Sequence, residues 1–310
     1  MTILITGANG YIGQRLIPVL LKQGHQLVCC VRDKSRFTRF DKLDKNQVFE
    51  IDFLDPATHT PLPRNIDIAF YLIHSMSSSI GDFSEKEALA AQNFLRLIEQ
   101  TSCWQIIYLS GIVNEEKLSD HLQSRLNVET ILRSHRIPAT VLRAGIVVGS
   151  GSASFEVIRD LVEKLPIMVA PRWLKTTCQP IAVRNVIQFL VGVMGRKSTF
   201  NKDFDIGGPE VLTYKDMLQQ YAEVRKLKRR LFIVPVMTPR LSSYWLYFVT
   251  QTSYILAVNL VDSMKVPIVC RPNNLYKELN IELLSYRQAV QLALERAEQQ
   301  SVLSSWRDSF

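Results

Sequence analysis

Between Thr2 and Leu142 the chain alternates short β-branched runs with helix-length amphipathic runs, and no other feature limits its folding as tightly. Thr2–Thr6 reads as a buried strand, Tyr11–Lys22 as a helix closed by Gly24 despite Pro18, and Gln26–Val31 as a second strand. Strands at Gln47–Asp52 and Asp67–Ile73, a helix over Ser84–Thr101, a strand at Trp104–Leu109, a helix over Leu118–Ser134 and a strand from Ala139 complete the series. Such alternation predicts right-handed βαβ units: an α/β fold with a doubly wound parallel sheet, covered on both faces.

After Gly149 the pattern loosens. Helices are expected at Ser154–Leu165, Val183–Val193, from Thr213 to Val224 and at Tyr286–Gln299, with strands at Phe204–Ile206 and Leu231–Val236. We therefore expect a dinucleotide-binding domain over 1–150 and a smaller substrate-binding domain over 151–310, the latter free to return elements to the former. The stretch Leu241–Val261 carries no charge, which is length enough for a bilayer span. Seven polar residues and aromatics scattered through its middle argue instead for a buried cover over a substrate cleft.

Gly7, Gly10 and Gly13 follow the first strand and open the first helix. Glycine allows the positive-φ turn and a close approach of backbone N–H groups to a pyrophosphate, which the helix N-terminus also attracts. Asn9, Tyr11 and Ile12 complete this expected phosphate loop. Arg32 follows the second strand, where a ribose selector sits. An acid there would accept from a 2′-hydroxyl and favour NAD; Arg32 offers a donor fork to a 2′-phosphate, so NADP is expected over NAD, with Asp33 as the opposing charge. Asp52 and Phe53 end the third strand, where a carboxylate can accept from the adenine amino group. Leu72 and His74 end the fourth, over which the cofactor lies; His74 equally reads as a packed loop histidine.

The net charge of +8 is concentrated in Arg32–Lys45 and in Arg225–Arg230, where five of six residues are basic. Both clusters read as solvated surface, or as a phosphate site and an anionic contact respectively. Neither is interleaved with aromatics, so no nucleic-acid partner is expected. Five irregularly spaced cysteines without a CxxC argue against a disulfide framework or a zinc site, and an opening without a basic, cleavable leader points to a reducing cytoplasm. The expected partner is a small, apolar substrate; peripheral contact of Arg225–Arg230 with anionic lipid is the alternative for the basic run.

The loop TGANGYIG resembles the TGxxGxxG motif of the short-chain dehydrogenase/reductase superfamily, in its extended and atypical branches. TVLRAGIVVGSGSASF, QPIAVRNV, FDIGGPEVLTY, YLIHSM and LSSYW look like a bacterial subgroup of NAD(P)H-binding, nucleoside-diphosphate-sugar-epimerase-like proteins, more distantly similar to NmrA-like sensors and to the Rossmann accessory subunit of respiratory complex I. The likeness spans nearly the whole chain and implies a Rossmann fold, a nicotinamide cofactor and hydride chemistry. It also implies a Tyr-x-x-x-Lys pair on the helix after the fifth strand. Here His121 stands in the Tyr place, Arg125 in the Lys place, Glu129 fits the following spacing, and Ser110 resembles the family serine. A histidine can carry a proton near neutral pH; an arginine can anchor a phosphate or ribose but cannot lose its proton. His121, Arg125 and Ser110 equally read as an exposed helix face and a strand end. The departure leaves two functions open: an oxidoreductase or epimerase with non-standard catalytic residues, or a non-catalytic NADP(H) sensor or assembly factor.

Overall fold

The computed structural model describes residues 1–37, 47–73, 83–113, 120–234 and 265–298. The chain opens β1 (Thr2–Thr6), α1 (Gly13–Lys22), β2 (Gln26–Val31), β3 (Val48–Glu50), β4 (Ile68–Tyr71), α2 (Phe83–Ile98), β5 (Gln105–Gly111), α3 (Asp120–Arg133), β6 (Ala139–Ala144) and β7 (Val147–Val148). It continues α4 (Ala153–Lys164), β8 (Ile167–Pro171), β9 (Thr177–Cys178), β10 (Ile181–Ala182), α5 (Val183–Gly192), β11 (Asp203–Ile206), β12 (Leu212–Thr213), α6 (Tyr214–Val224) and β13 (Arg230–Val234). Short α7 (Leu275–Glu278) and α8 (Tyr286–Glu298) close the described chain. His74, Leu241–Val261 and the tail from Ser301 lie outside the described residues.

Seven parallel strands form the central sheet in the order β11-β6-β5-β4-β1-β2-β3. The expected doubly wound α/β architecture is therefore what the chain adopts. The order reverses between β1 and β4, and ligands of such sheets bind outside the strand ends at that reversal. All five residues of β1 are buried, as a central strand covered on both faces demands.

Strand alternation divides the core. Ile3, Ile5, Phe70 and Ile107 pack toward Leu16, Leu20, Val186 and Leu190 on one side. Leu4, Val28, Tyr71 and Tyr108 pack toward Ala91, Phe94 and Leu132 on the other. A third cluster joins Phe155, Leu161, Met168, Met217, Tyr221 and Val290, giving the second half its own core. The division along the chain is not contiguous: β11 pairs with β6 at the sheet edge, and α5 packs against the core of the first half.

Local chemistry explains the helix ends. Pro18 is exposed, so the donor it lacks is lost on the solvent side of α1. Gly24 takes φ +78°, and the amides of Gly24 and His25 return to the carbonyls of Leu21 and Leu20 at 3.0 and 3.2 Å. Thr213 and Asp216 form a reciprocal capping box on α6, with bonds of 3.1 and 2.9 Å.

The strand expected at Leu231–Val236 is β13, Arg230–Val234. Its partner β8 and the two-residue pairs β7–β10 and β9–β12 had no expected counterpart, because segments so brief carry little period of their own.

Candidate functional site

The three glycines serve different geometric needs. Gly7 leaves β1 with φ +61°, and a Cβ there would lie 2.9 Å from the Leu72 carbonyl oxygen at the end of β4. Only glycine lets the two strand ends approach so closely at the sheet reversal. Gly10 donates to the Gly7 carbonyl at 2.8 Å and closes the turn. A Cβ on Gly13 would come within 2.6 Å of the Gly7 oxygen and 2.8 Å of the Ala8 oxygen, so α1 can begin only flush against the loop.

Ile12 precedes α1 without any side-chain cap, and the amides of Asn9 and Ile12 donate to no other described group. This bare helix start, with a cradle that side chains would fill, fits a pyrophosphate. Gln14 Nε2 donates to the Asn9 carbonyl at 2.8 Å and holds the loop from behind. The Arg15 guanidinium lies 3.9 Å over the Tyr11 ring and donates to the carbonyls of Tyr11 at 3.1 Å and Ser150 at 2.6 Å. Gly149 makes room for the Tyr11 hydroxyl. Gln14, Arg15, Gly149 and Ser150 were not anticipated; their only trace in the sequence is the glycine-rich run Gly149–Gly151.

At the end of β2, Arg32 is exposed, and no described group pairs with its guanidinium. Asp33 is engaged within its own turn. It accepts from the Ser35 amide at 2.9 Å and the Ser35 hydroxyl at 2.5 Å, and lies 3.8 Å from Arg36. Those Ser35 bonds hold its carboxyl below the ordinary value. Asp52 accepts from the Leu54 amide at 2.9 Å, and its own amide donates to Thr58. The Phe53 ring is buried, edge-on to Phe94 at 6.1 Å, so only its backbone borders the strand end. The Leu72 amide donates to Thr6 Oγ1 at 3.1 Å, tying β4 to β1 beneath the glycine turn.

The second part of the site lies between β5 and α3. Ser110, near the end of β5, is 3% exposed, and the two-residue strand period puts Tyr108 on the same face. Burial raises the Tyr108 phenol above its ordinary value, while Arg125 and Ser110 draw it partly back. His121 falls in the first turn of α3, one helical turn before Arg125; its side chain is outside the described groups. Glu87 of α2 is buried and accepts from the Ser124 hydroxyl at 2.5 Å. Its charge also helps to push up the already buried phenols of Tyr71 and Tyr108. Ser110, Arg125 and Glu87 each act on the Tyr108 phenol, which makes Tyr108 the group they have in common. The signal for Tyr108 was its period-two relation to Ser110; Glu87 gave none.

Glu129 proves to be an anchor. It is 2% exposed and accepts from Arg143 Nε and Nη2 at 2.9 and 2.6 Å, a bidentate fork that sets the rotation of α3 against β6. Arg143 Nη1 also lies 3.0 Å from Asp203, which meets Arg133 at 3.1 Å and Arg271 at 2.6 Å. Burial alone would raise Asp203; the Arg271 bond and the charges of Arg143, Arg271 and Arg133 hold it below the ordinary carboxylate value.

The five cysteines are free, and burial pushes Cys29, Cys103, Cys178 and Cys270 up to about 12. Among the described residues no three His, Cys, Asp or Glu side chains are grouped to hold a metal ion.

Comparison with known proteins agrees with this geometry. Residues 7–160 match a family described as NAD(P)H-binding. The chloroplastic divinyl chlorophyllide a 8-vinyl-reductase of Arabidopsis thaliana is 20% identical over 229 residues, covering 67% of this chain and 54% of that protein. The photosystem II assembly factor Ycf39 of Trieres chinensis is 23% identical over 210 residues, covering 67% and 64%. The chain thus spans about half the length of the curated reductases it matches. UDP-glucuronic acid 4-epimerase from Bacillus cereus, solved with UDP-glucuronic acid and NAD, shares the fold with a TM-score of 0.69 at 16% identity, covering 97% of this chain and 100% of that one. Residues 7–160, just under half of the chain, thus match the NAD(P)H-binding family, and the chain carries the fold of the short-chain dehydrogenase/reductases and nucleoside-diphosphate-sugar epimerases.

Proposed function

We propose that the protein is an NADP(H)-dependent oxidoreductase, or an epimerase using the same hydride chemistry, acting on a small apolar molecule. The observation that carries the cofactor choice is the contrast at the end of β2: Arg32 is exposed and unpaired among the described groups, while Asp33 is bound within its own turn. The opposing acid is thereby withdrawn, and a planar donor fork is left for a 2′-phosphate. Gly7, Gly10 and Gly13, with the amides of Asn9 and Ile12, hold the pyrophosphate in this reading. Tyr11, Asp52, Phe53 and Leu72 border the rest of the cofactor, and His74 is retained with them from the sequence alone.

When bound, the nicotinamide ring gives or takes the hydride. His121 then carries the proton that the family tyrosine carries elsewhere. Arg125, unable to deprotonate, anchors ribose or phosphate, and Ser110 orients the reacting oxygen. Five free thiols suit a reducing cytoplasm.

Calorimetric titration tests the choice. NADPH should bind more tightly than NADH, and Arg32→Ala should erase about 1.5–3 kcal/mol of that difference, the worth of a hydrogen bond to a charged group. Equal affinities in the unaltered protein would reject it.

A second reading is a non-catalytic NADP(H) sensor or assembly factor. Arg125 in place of the lysine favours it, as does the likeness to Ycf39, an assembly factor by its name. Retained NADPH binding with no oxidation of NADPH by aldehydes, ketones or enones, and no interconversion of sugar-nucleotide epimers, would select it.

A further inference from the structure

The second half of the chain exposes a face that the proposed function does not use. β8 and β13 pair in parallel, with Ile167 opposite Arg230 and Val169 opposite Phe232. Residues opposite one another in register share a face. On the inner face Met168 and Ala170 are buried in the core of this half. On the outer face Ile167 is 56%, Val169 46% and Phe232 55% exposed. Three large apolar side chains side by side on a two-stranded ribbon make a patch rather than scattered surface residues.

Charge surrounds this patch with one sign. Lys226, Lys228 and Arg230 are exposed at the start of β13, and Arg172 and Lys175 are exposed beyond the end of β8. No described carboxylate pairs with any of the five. Their neighbours in the basic run are committed elsewhere. Arg225 binds Glu163 at 2.7 Å, and Arg229 donates to the carbonyls of Val162 and Glu163 at the end of α4. The sequence explains the one-sidedness: no Asp or Glu occurs from Lys164 to Lys202, nor from Val224 to Val261.

An apolar strip with cations at both ends and no acid on either strand suits a surface that is anionic outside and apolar just beneath. A second copy of the chain would bring like charges together, and a nucleic acid would gain nothing from Ile167 and Val169. We propose that the outer face of the β8–β13 ribbon docks on an anionic lipid bilayer, with Ile167, Val169 and Phe232 entering the headgroup boundary and Lys226, Lys228, Arg230, Arg172 and Lys175 meeting lipid phosphates. This sharpens the contact considered for the basic run: the run supplies three cations, and the ribbon supplies the apolar wedge.

Co-sedimentation of the full chain with phosphatidylglycerol–phosphatidylcholine vesicles, and with phosphatidylcholine alone, tests this at low and high salt. Binding should require the anionic lipid and weaken with salt. The double variant Lys226→Asn, Lys228→Gln should bind about 25-fold more weakly, at about fivefold per cation near such a surface. Asn is chosen because Lys226 has φ +56°, which Asn tolerates. Phe232→Ser should cost about tenfold through lost apolar burial. Lys22→Gln with Lys197→Gln, an equal charge loss elsewhere, should leave binding unchanged. Circular dichroism checks each fold; should Phe232→Ser misfold, the double variant still decides. Absence of binding to anionic vesicles at low salt, equal binding to both vesicles, equal losses in the two double variants, or a dimer that Phe232→Ser dissolves would each overturn the proposal. NADPH titration runs separately, so failure here leaves the cofactor reading untouched.

Discussion

Replacing Gly13 by alanine isolates the packing of the glycine turn from its chemistry, because one methyl group is added and no polar group is lost. The added Cβ would meet three backbone atoms: the Gly7 oxygen at 2.6 Å, the Ala8 oxygen at 2.8 Å and the Ala8 Cα at 2.9 Å. Backbone atoms cannot rotate away as a side chain can, so the loop or α1 must shift. Overpacking of this kind costs about 1–3 kcal/mol. Alanine's better helix propensity returns up to about 1 kcal/mol. The net loss should be on the order of 1–2 kcal/mol, a fall in melting temperature of roughly 1.5–3 °C for a chain of this size. The shift also moves the amides that would face the pyrophosphate. Losing even one hydrogen bond to a charged phosphate costs about 1.5–3 kcal/mol, so NADPH affinity should fall at least about tenfold.

Gly24→Ala is the control. Gly24 also has positive φ, yet nothing lies within 4 Å of its added Cβ. It should lose about 1 kcal/mol of stability through backbone strain alone and bind NADPH normally. Scanning calorimetry and nucleotide titration on both variants read the two effects. If Gly13→Ala kept both its stability and its affinity, the tight cradle inferred here would be wrong. If Gly24→Ala lost affinity as well, the effect would not be local to the loop.

Three further outcomes are expected. Once a substrate is found, His121→Ala should cut turnover by about 10²-fold with cofactor affinity nearly intact, whereas Arg125→Ala should weaken the cofactor; steady-state kinetics with nucleotide titration separate them. Glu129→Gln leaves the Arg143 fork half-bound in a buried site, and chemical denaturation should show a loss of about 3 kcal/mol, the low end for a broken buried pair, since Asp203 still lies 3.0 Å from Arg143. Asp203 is held below its ordinary value, so its contribution to stability is complete above the unfolded carboxylate pKa of about 3.9 and is lost as pH falls through the lower folded value. Melting curves across that acid range should show a shallower decline for Asp203→Asn than for the unaltered chain.

Periodicity and glycine spacing were sufficient for the parallel sheet, its helices and the tight glycine turn after β1, because those patterns report which side of each element meets the core and where the backbone needs glycine. The fates of Asp33 and Glu129 were not legible from spacing. Asp33 looked like a rival to Arg32, yet Ser35, two residues on, binds its carboxylate. Glu129 looked like one more member of a helix pattern, yet Arg143 of β6 makes it an interior anchor. Likewise β8 and β13 lie more than sixty positions apart, and neither announces the other.

The amino-acid sequence by itself determined the strand–helix alternation, the turn that only glycine can make, and the placing of a cation after the second strand. These depend on backbone sterics and on the apolar period, which act within a few residues of one another. Tertiary structure alone decided what stands around them. Arg15 reaches Ser150 across 135 positions, β11 returns to the sheet edge beside β6, and Glu87 of α2 meets Ser124 of α3. Buried polar groups take whichever partners the packed elements bring within hydrogen-bond distance, and chain spacing carries no record of that choice.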